Sequence, residues 1–236
     1  MGCCGFGISR ERYYQSFSCV EVQQTFYQPP SIKTLESWRR NAPSHFEFAL
    51  KAWQLITHTS ASPTFRRLST KMAKAALDEA GNFKLTPLVR DAMDITLASA
   101  EALAAQAVLF QCPASFKENP QNLENMRDFF SHYKPAAGVR FYWEPRGPWK
   151  ESTVDSLCKE LQLVQAIDPF AQANNNDAPI YYRLHGEKNW RYEFSLEDEQ
   201  WLVSKIRGNA QTSTPAYVFF NNRTMVADAL QFKELL

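Results

Sequence analysis

Glycine is scarce in this chain, with eight in 236 residues, and none builds a Gly-x-Gly-x-x-Gly or Gly-Lys-Ser segment. That excludes the phosphate-cradling βα turn of an open, doubly wound nucleotide-binding sheet. Gly-x-Ser-x-Gly and His-Glu-x-x-His are missing too, which removes the serine-nucleophile elbow and the two-histidine zinc helix. The four histidines, His45, His58, His132 and His185, are scattered without metal-ligand spacing. Neither sign of charge is in excess: 26 Lys and Arg stand against 25 Asp and Glu, so no overall field draws the chain to nucleic acid or anionic lipid. No apolar run approaches the roughly 20 residues of a bilayer span. The N-terminus has neither the basic flank nor the apolar stretch of a signal peptide. A soluble, cytoplasmic protein with no membrane partner is the expectation.

A disulfide framework is also not expected. The five cysteines, Cys3, Cys4, Cys19, Cys112 and Cys158, are odd in number and sit in or beside apolar runs, where reduced thiols act as small hydrophobes. Neighbours in an extended strand point to opposite faces, so Cys3 and Cys4 do not suit one metal ion and are expected to pack.

What the chain does have is apolar content, 44% hydrophobic and 14% aromatic, enough for a large single core. One domain over residues 1–236 is expected. Strand-like runs at residues 2–6, 18–23, 46–51, 107–111, 139–144, 165–168, 180–185 and 216–220 alternate with amphipathic stretches. Among the latter, Ile32, Leu35 and Trp38, then Phe65, Leu68 and Met72, then Leu123, Met126, Phe129, Phe130 and Tyr133 have helical spacing. Ser152 before Asp155 and Ser195 before Asp198 read as helix starts. The interval from about residue 59 to 106 is expected to hold two helices broken near Gly81 to Pro87, because proline suits a first helical turn. Alternating β and α units predict a parallel sheet. Eight of them favour a TIM-type (β/α) barrel of about eight parallel strands wrapped by helices.

With a period of two, these strands carry polar side chains opposite their hydrophobic residues, near their C-terminal ends. Val20 and Val22 oppose Glu21 and Gln23; Phe46, Phe48 and Leu50 oppose Lys51; Tyr182 and Leu184 oppose Arg183 and His185. Extending the alternation adds Gln111, Arg140, Glu144, Asp168 and Asn221. All are expected to point inward, at the end where such barrels keep their active sites. Tyr27, Trp149, Trp190 and Tyr192 fall in the loops that follow strands, with Arg146 and Arg191, and would line the rim.

Several segments, in this order, resemble the DUF72 or YecE-like family. They are Val20-Glu-Val-Gln-Gln-Thr-Phe-Tyr27, Phe46 to Lys51 with Ile56-Thr-His58, and Phe110-Gln-Cys-Pro113 with Phe116. Glu144-Pro-Arg146 with Trp149, Asp168, Tyr182-Arg-Leu-His-Gly186 and Tyr217-Val-Phe-Phe-Asn-Asn222 with Ala229-Leu230 follow. The stretch between the first two strands is shorter than the family's, and Pro145 stands where a phenylalanine is usual. The resemblance implies a TIM-type barrel and brings no established activity. It singles out His58 as the end of the family's Thr-His segment.

Acids and bases in one lumen suit a small anionic or phosphorylated molecule. Arg183 and Arg146 would orient it, and Lys51 or Arg140 would stabilise developing charge. Glu144 is the candidate general base or acid, with His58 or His185 as partner proton carrier. Glu21, Gln23, Tyr27, Gln111, Trp149, Asp168 and Asn221 complete the binding set. Turnover is left open; a metal-independent hydrolase or isomerase is the enzyme class that fits. A metal held by Glu21, Glu144, Asp168 and His185 conflicts with the nearby Lys and Arg, so no metal and no cofactor are expected. The bland alternative is a self-neutralising structural network, for Glu21, Lys51 and Arg140 above all. The alternative from another class is a non-catalytic binder of single-stranded nucleic acid on an Arg and Trp rim, disfavoured by the near-neutral charge.

Overall fold

The structure, a computed structural model, describes residues 1–70, 72–171, 180–186, 191–209 and 216–236. In chain order the elements begin with β1 (Gly2–Cys3), α1 (Arg10–Ser16), β2 (Cys19–Val22), α2 (Gln24–Tyr27), α3 (Ile32–Asn41) and β3 (Glu47–Lys51). There follow α4 (Gln54–Thr57), α5 (Lys74–Leu77), α6 (Pro87–Leu103), β4 (Ala107–Gln111), α7 (Pro120–His132) and β5 (Arg140–Glu144). The chain continues with α8 (Glu151–Leu161), β6 (Val164–Gln165), β7 (Tyr181–Leu184), α9 (Leu196–Asn209), β8 (Tyr217–Phe220) and α10 (Met225–Lys233). Two compact units form, one from Met1–Glu21, Ala42–Glu47 and Ala166–Leu236, the other from Val22–Asn41 and Phe48–Gln165.

In the first unit the strand order is β2-β1-β8-β7, with parallel registers Cys3↔Val20, Cys3↔Phe220 and Arg183↔Phe219. The β1 strand is shorter than expected because Gly5, at φ 105°, turns the chain away. Even so, the Cys4 N–H still donates to Phe220 at 2.9 Å. The Tyr13 hydroxyl accepts from the Cys3 N–H at 2.7 Å and donates to the Cys19 carbonyl at 3.1 Å, stitching α1 to both strands. The expected strand at 165–168 is likewise cut to Val164–Gln165, with Ile167 bridging singly to Tyr182.

In the second unit the order is β3-β4-β5-β6, with Lys51↔Leu109, Gln111↔Glu144 and Tyr142↔Val164 in parallel register. Every residue of β4 is buried, as a strand covered on both faces requires. The core against it is aromatic: Phe83 packs with Phe110, Phe116, Phe129 and Phe130 at centroid distances of 5.2 to 6.0 Å. Each such pair adds about 0.5–1.5 kcal/mol beyond area burial. Pro87 opens α6 as expected, with Thr86 capping Val89 N–H.

Two helix starts differ in instructive ways. Ser195 and Asp198 form a reciprocal capping box at α9. By contrast α8 begins before Ser152, because Glu118, far back in the chain, accepts from the Lys150 N–H at 2.8 Å and the Thr153 hydroxyl at 3.1 Å. The helix expected from Phe65, Leu68 and Met72 is instead a 3-10 turn, Pro63–Arg67, followed by the one-turn α5. Neither holds a fully buried residue, so no apolar stripe is there to drive a longer helix. No described helix is long and apolar enough to cross a membrane.

Candidate functional site

In the second unit, chemistry gathers where β3, β4 and β5 end. Lys51 closes β3 and Gln111 closes β4; Lys51 Nζ donates to Gln111 Oε1 at 2.6 Å and lies 3.6 Å from the centre of the Phe26 ring. That face supplies a cation–π contact to the ammonium of a lysine only 5% exposed. The Thr25 hydroxyl donates to the Lys51 carbonyl at 2.7 Å, fixing α2 against the end of β3.

His58 follows α4, and a strained brace holds that single turn. Gly81, Asn82 and Phe83 all have positive φ, and their N–H groups donate to the carbonyls of Leu55, Thr57 and Ile56. A Cβ on Gly81 would stand 2.5 Å from the His58 carbonyl, so only glycine lets the brace close. Left-handed backbone at Asn82 and Phe83 costs about 1–2 kcal/mol each, offset by the burial of the Phe83 ring. The His58 ring meets Phe26 edge-on at 5.0 Å, with Nδ1 2.8 Å from the Thr57 hydroxyl. Burial first, then the charges of Lys51 and Arg146, push its pKa down to about 3. The ring is therefore neutral near pH 7, one nitrogen a donor and the other an acceptor.

Glu144 ends β5, and its carboxylate accepts from Arg146 Nε at 2.9 Å. The acid is mostly buried and the guanidinium half-exposed. Trp149 Nε1 donates to the Phe116 carbonyl at 2.8 Å, and its ring packs edge-on against Trp143 at 5.2 Å. Gly147 permits this, since a Cβ there would stand 2.2 Å from the Phe116 oxygen. One face of Tyr27 is covered by the Arg67 guanidinium at 3.6 Å.

In the first unit, Glu21 and Arg183 form a forked pair, Nε to Oε2 and Nη2 to Oε1 both at 2.9 Å. Both side chains are fully enclosed. The Tyr181 hydroxyl donates to Glu21 Oε2 at 2.7 Å, and burial, with the Glu21 charge beside it, raises its pKa so that it stays a phenol. Cys4 Sγ lies 3.6 Å from Arg183 Nη2, and burial raises this thiol too, as fits packing rather than reactivity. At the ends of β7 and β8 a second set runs in a row. Asp168 Oδ2 accepts from the His185 N–H at 2.8 Å and stands 3.4 Å from His185 Nδ1. On the other side, Asn221 Nδ2 is 2.9 Å from His185 Nε2. An amide donating to Nε2 leaves the ring proton on Nδ1, facing the carboxylate.

A family described as "Protein of unknown function DUF72" matches residues 9–236. The chain belongs to this family. The UPF0759 protein YunF of Bacillus subtilis is 24% identical over 246 residues, spanning 91% of this chain and 80% of its own. A DUF72 protein of Enterococcus faecalis superposes with a TM-score of 0.72 at 17% identity, covering 99% of this chain and 95% of its own. A xylose isomerase domain containing protein of Salmonella typhimurium gives 0.59 at 12% identity, covering 99% and 94%. These likenesses show the fold of the DUF72 chain, a TIM-type (β/α) barrel.

One inward expectation is corrected. Arg140 is exposed at the first residue of β5, four residues before Glu144 and so about 13 Å away along the strand; alternation fixes a side, not a depth. Gln23 is half-buried at the start of α2, and Trp190 lies outside the described residues. Reasoning from sequence missed Phe26, Thr57 and Tyr181. For Tyr181 the signal was present, since it shares the face of Arg183 two residues on.

Proposed function

We propose that this DUF72 chain binds a small anionic molecule, a carboxylate or phosphate, at the ends of β3, β4 and β5 and acts on it by acid/base chemistry. The observation that carries the reading is His58, kept neutral by burial beside two cations. Burial is the larger cause, and the smaller part, the field of Lys51 and Arg146, is the part that would also attract an anion. Lys51 and Arg146 would hold the anion and stabilise charge that develops on it. Glu144 would be the base or acid that moves a proton. An arriving anion offsets the two cations and raises the His58 pKa, so the substrate itself readies this imidazole to exchange protons. His185, between Asp168 and Asn221, belongs to the first unit and has no part in this reading. Arg183 stays in the reading as the cation that balances Glu21. The reaction class that fits is hydrolysis or isomerisation.

The test is a thermal-shift screen of small carboxylates and phosphates on the wild type, Lys51→Met and Glu144→Gln. Anions should raise the melting temperature of the wild type and of Glu144→Gln, but not of Lys51→Met. With a substrate found, Glu144→Gln should turn over at least about a hundredfold more slowly. Equal shifts in the wild type and Lys51→Met would overturn the reading. Single-stranded nucleic acid gains no support: of the expected stacking faces, Trp149 packs against Trp143 and Tyr192 against Phe194, and Trp190 lies outside the described residues.

A further inference from the structure

Two buried polar atoms on consecutive residues of the second unit have no hydrogen-bond partner among the described residues. Gln54 opens α4 and is 0% exposed. Its Nε2 donates to the Tyr27 carbonyl at 2.9 Å. Only the nitrogen can do this, so the orientation of the amide is fixed and Oε1 is the atom left over, enclosed and accepting nothing. The preceding residue repeats the situation with opposite polarity. Trp53 is buried, its backbone N–H donates to the Thr96 hydroxyl at 3.3 Å, and its Nε1–H is enclosed and donates to nothing. Buried groups left unpaired are costly, and native proteins keep few of them. Here an acceptor and a donor are left on consecutive residues, on the short segment that runs from Lys51 to His58.

A chain of contacts links the Gln54 amide to Lys51. Gln54 is tied to Tyr27, whose ring contacts that of Phe26 at 5.0 Å, and Phe26 carries the Lys51 ammonium on its face. We propose that the anion bound beside Lys51 is polyhydroxylated, a sugar-acid-like carboxylate or a polyol phosphate, and that Gln54 selects its hydroxyl groups. This rests on the anion-binding reading and narrows it. A hydroxyl donates one hydrogen bond and accepts others, so hydroxyl groups satisfy Gln54 Oε1 and Trp53 Nε1–H alike. A second anionic oxygen would be repelled by Oε1, and a methylene would leave both atoms unpaired. Because the two atoms are shut off from water, binding of this kind requires a side-chain shift that opens them to a ligand hydroxyl. A site that supplies partners for hydroxyls rejects an analogue lacking them far more strongly than an apolar pocket would.

The experiment is calorimetric titration of the full chain with two matched pairs, gluconate against hexanoate and glycerol 3-phosphate against propyl phosphate. The hydroxylated member should bind at least about tenfold more tightly in the preferred pair, and the pair that binds better identifies the anion as carboxylate or phosphate. Gln54→Leu should bring the two members within about twofold of each other. Trp53→Phe keeps the ring, loses only the N–H and should remove part of the preference, a check that does not depend on Gln54→Leu folding. Equal binding of both members by the wild type would overturn the inference, as would a preference that survives in Trp53→Phe and in folded Gln54→Leu. Failure of the underlying reading looks different: no probe binds, or Lys51→Met leaves binding unchanged.

Discussion

Glu21 and Arg183 are fully enclosed in the first unit, and their fork leaves little choice about what either residue can become. Removing two charges from water is expensive, and their mutual attraction repays it only while both are present and well aligned. Arg183→Met should therefore lose about 3–5 kcal/mol of stability in urea melts, and adding Glu21→Gln should restore much of it. A loss below about 1 kcal/mol, the range of exposed pairs, would show that the pair is hydrated in solution. Parity in the sequence placed both residues on one face, as it did Lys51 with Gln111. It did not place Gln54 or Thr57, because their positions depend on α4, a single turn held by a left-handed brace more than 20 residues further on.

At the scale of elements, α9 docks on α10 through an acid that burial disfavours. Glu199, in the first turn of α9, is enclosed; Gln231 of α10 donates to its Oε2 at 3.0 Å, and its Oε1 has no partner. Burial raises its pKa to about 7, the Gln231 bond pulling it back and Asp228 and Asp198 pushing it further up. A raised acid binds its proton more tightly folded than unfolded. Its favourable contribution is thus fully present below about pH 4.3 and lost as pH rises through about 7. Glu199→Gln should raise the melting temperature at pH 8 and change it little at pH 4; an unchanged melting temperature at pH 8 would contradict this. The helix starts show where sequence runs out. The Ser195 and Asp198 box is local and could be read, whereas Glu118 caps α8 from more than 30 residues away, and the nearby Ser152 misled.

At the scale of the whole molecule, two groups give opposite pH dependence. His58 has a depressed pKa, so the unfolded chain takes up its proton first. The stability this residue contributes above about pH 6.5 is lost as pH falls towards about 3. Between about pH 4.3 and 6.5 the slopes of His58 and Glu199 oppose each other, each at most about 1.4 kcal/mol per pH unit. Relative to the wild type, a plot of stability against pH over this window should tilt downward in His58→Gln and upward in Glu199→Gln. Parallel curves for all three would refute both assignments. The fold was legible because its strands are short and apolar and alternate with helical segments. The acids and bases could be read as a set, but which of them pair was decided by register and depth, as exposed Arg140 shows against buried Glu144.

The central claim, that the second unit holds an anion beside Lys51 and His58, is tested most directly by native mass spectrometry. The protein would be purified at low salt beside Lys51→Met. The account predicts a small anionic mass retained by the wild type and absent from the variant. No retained mass in either, or the same mass in both, would contradict it.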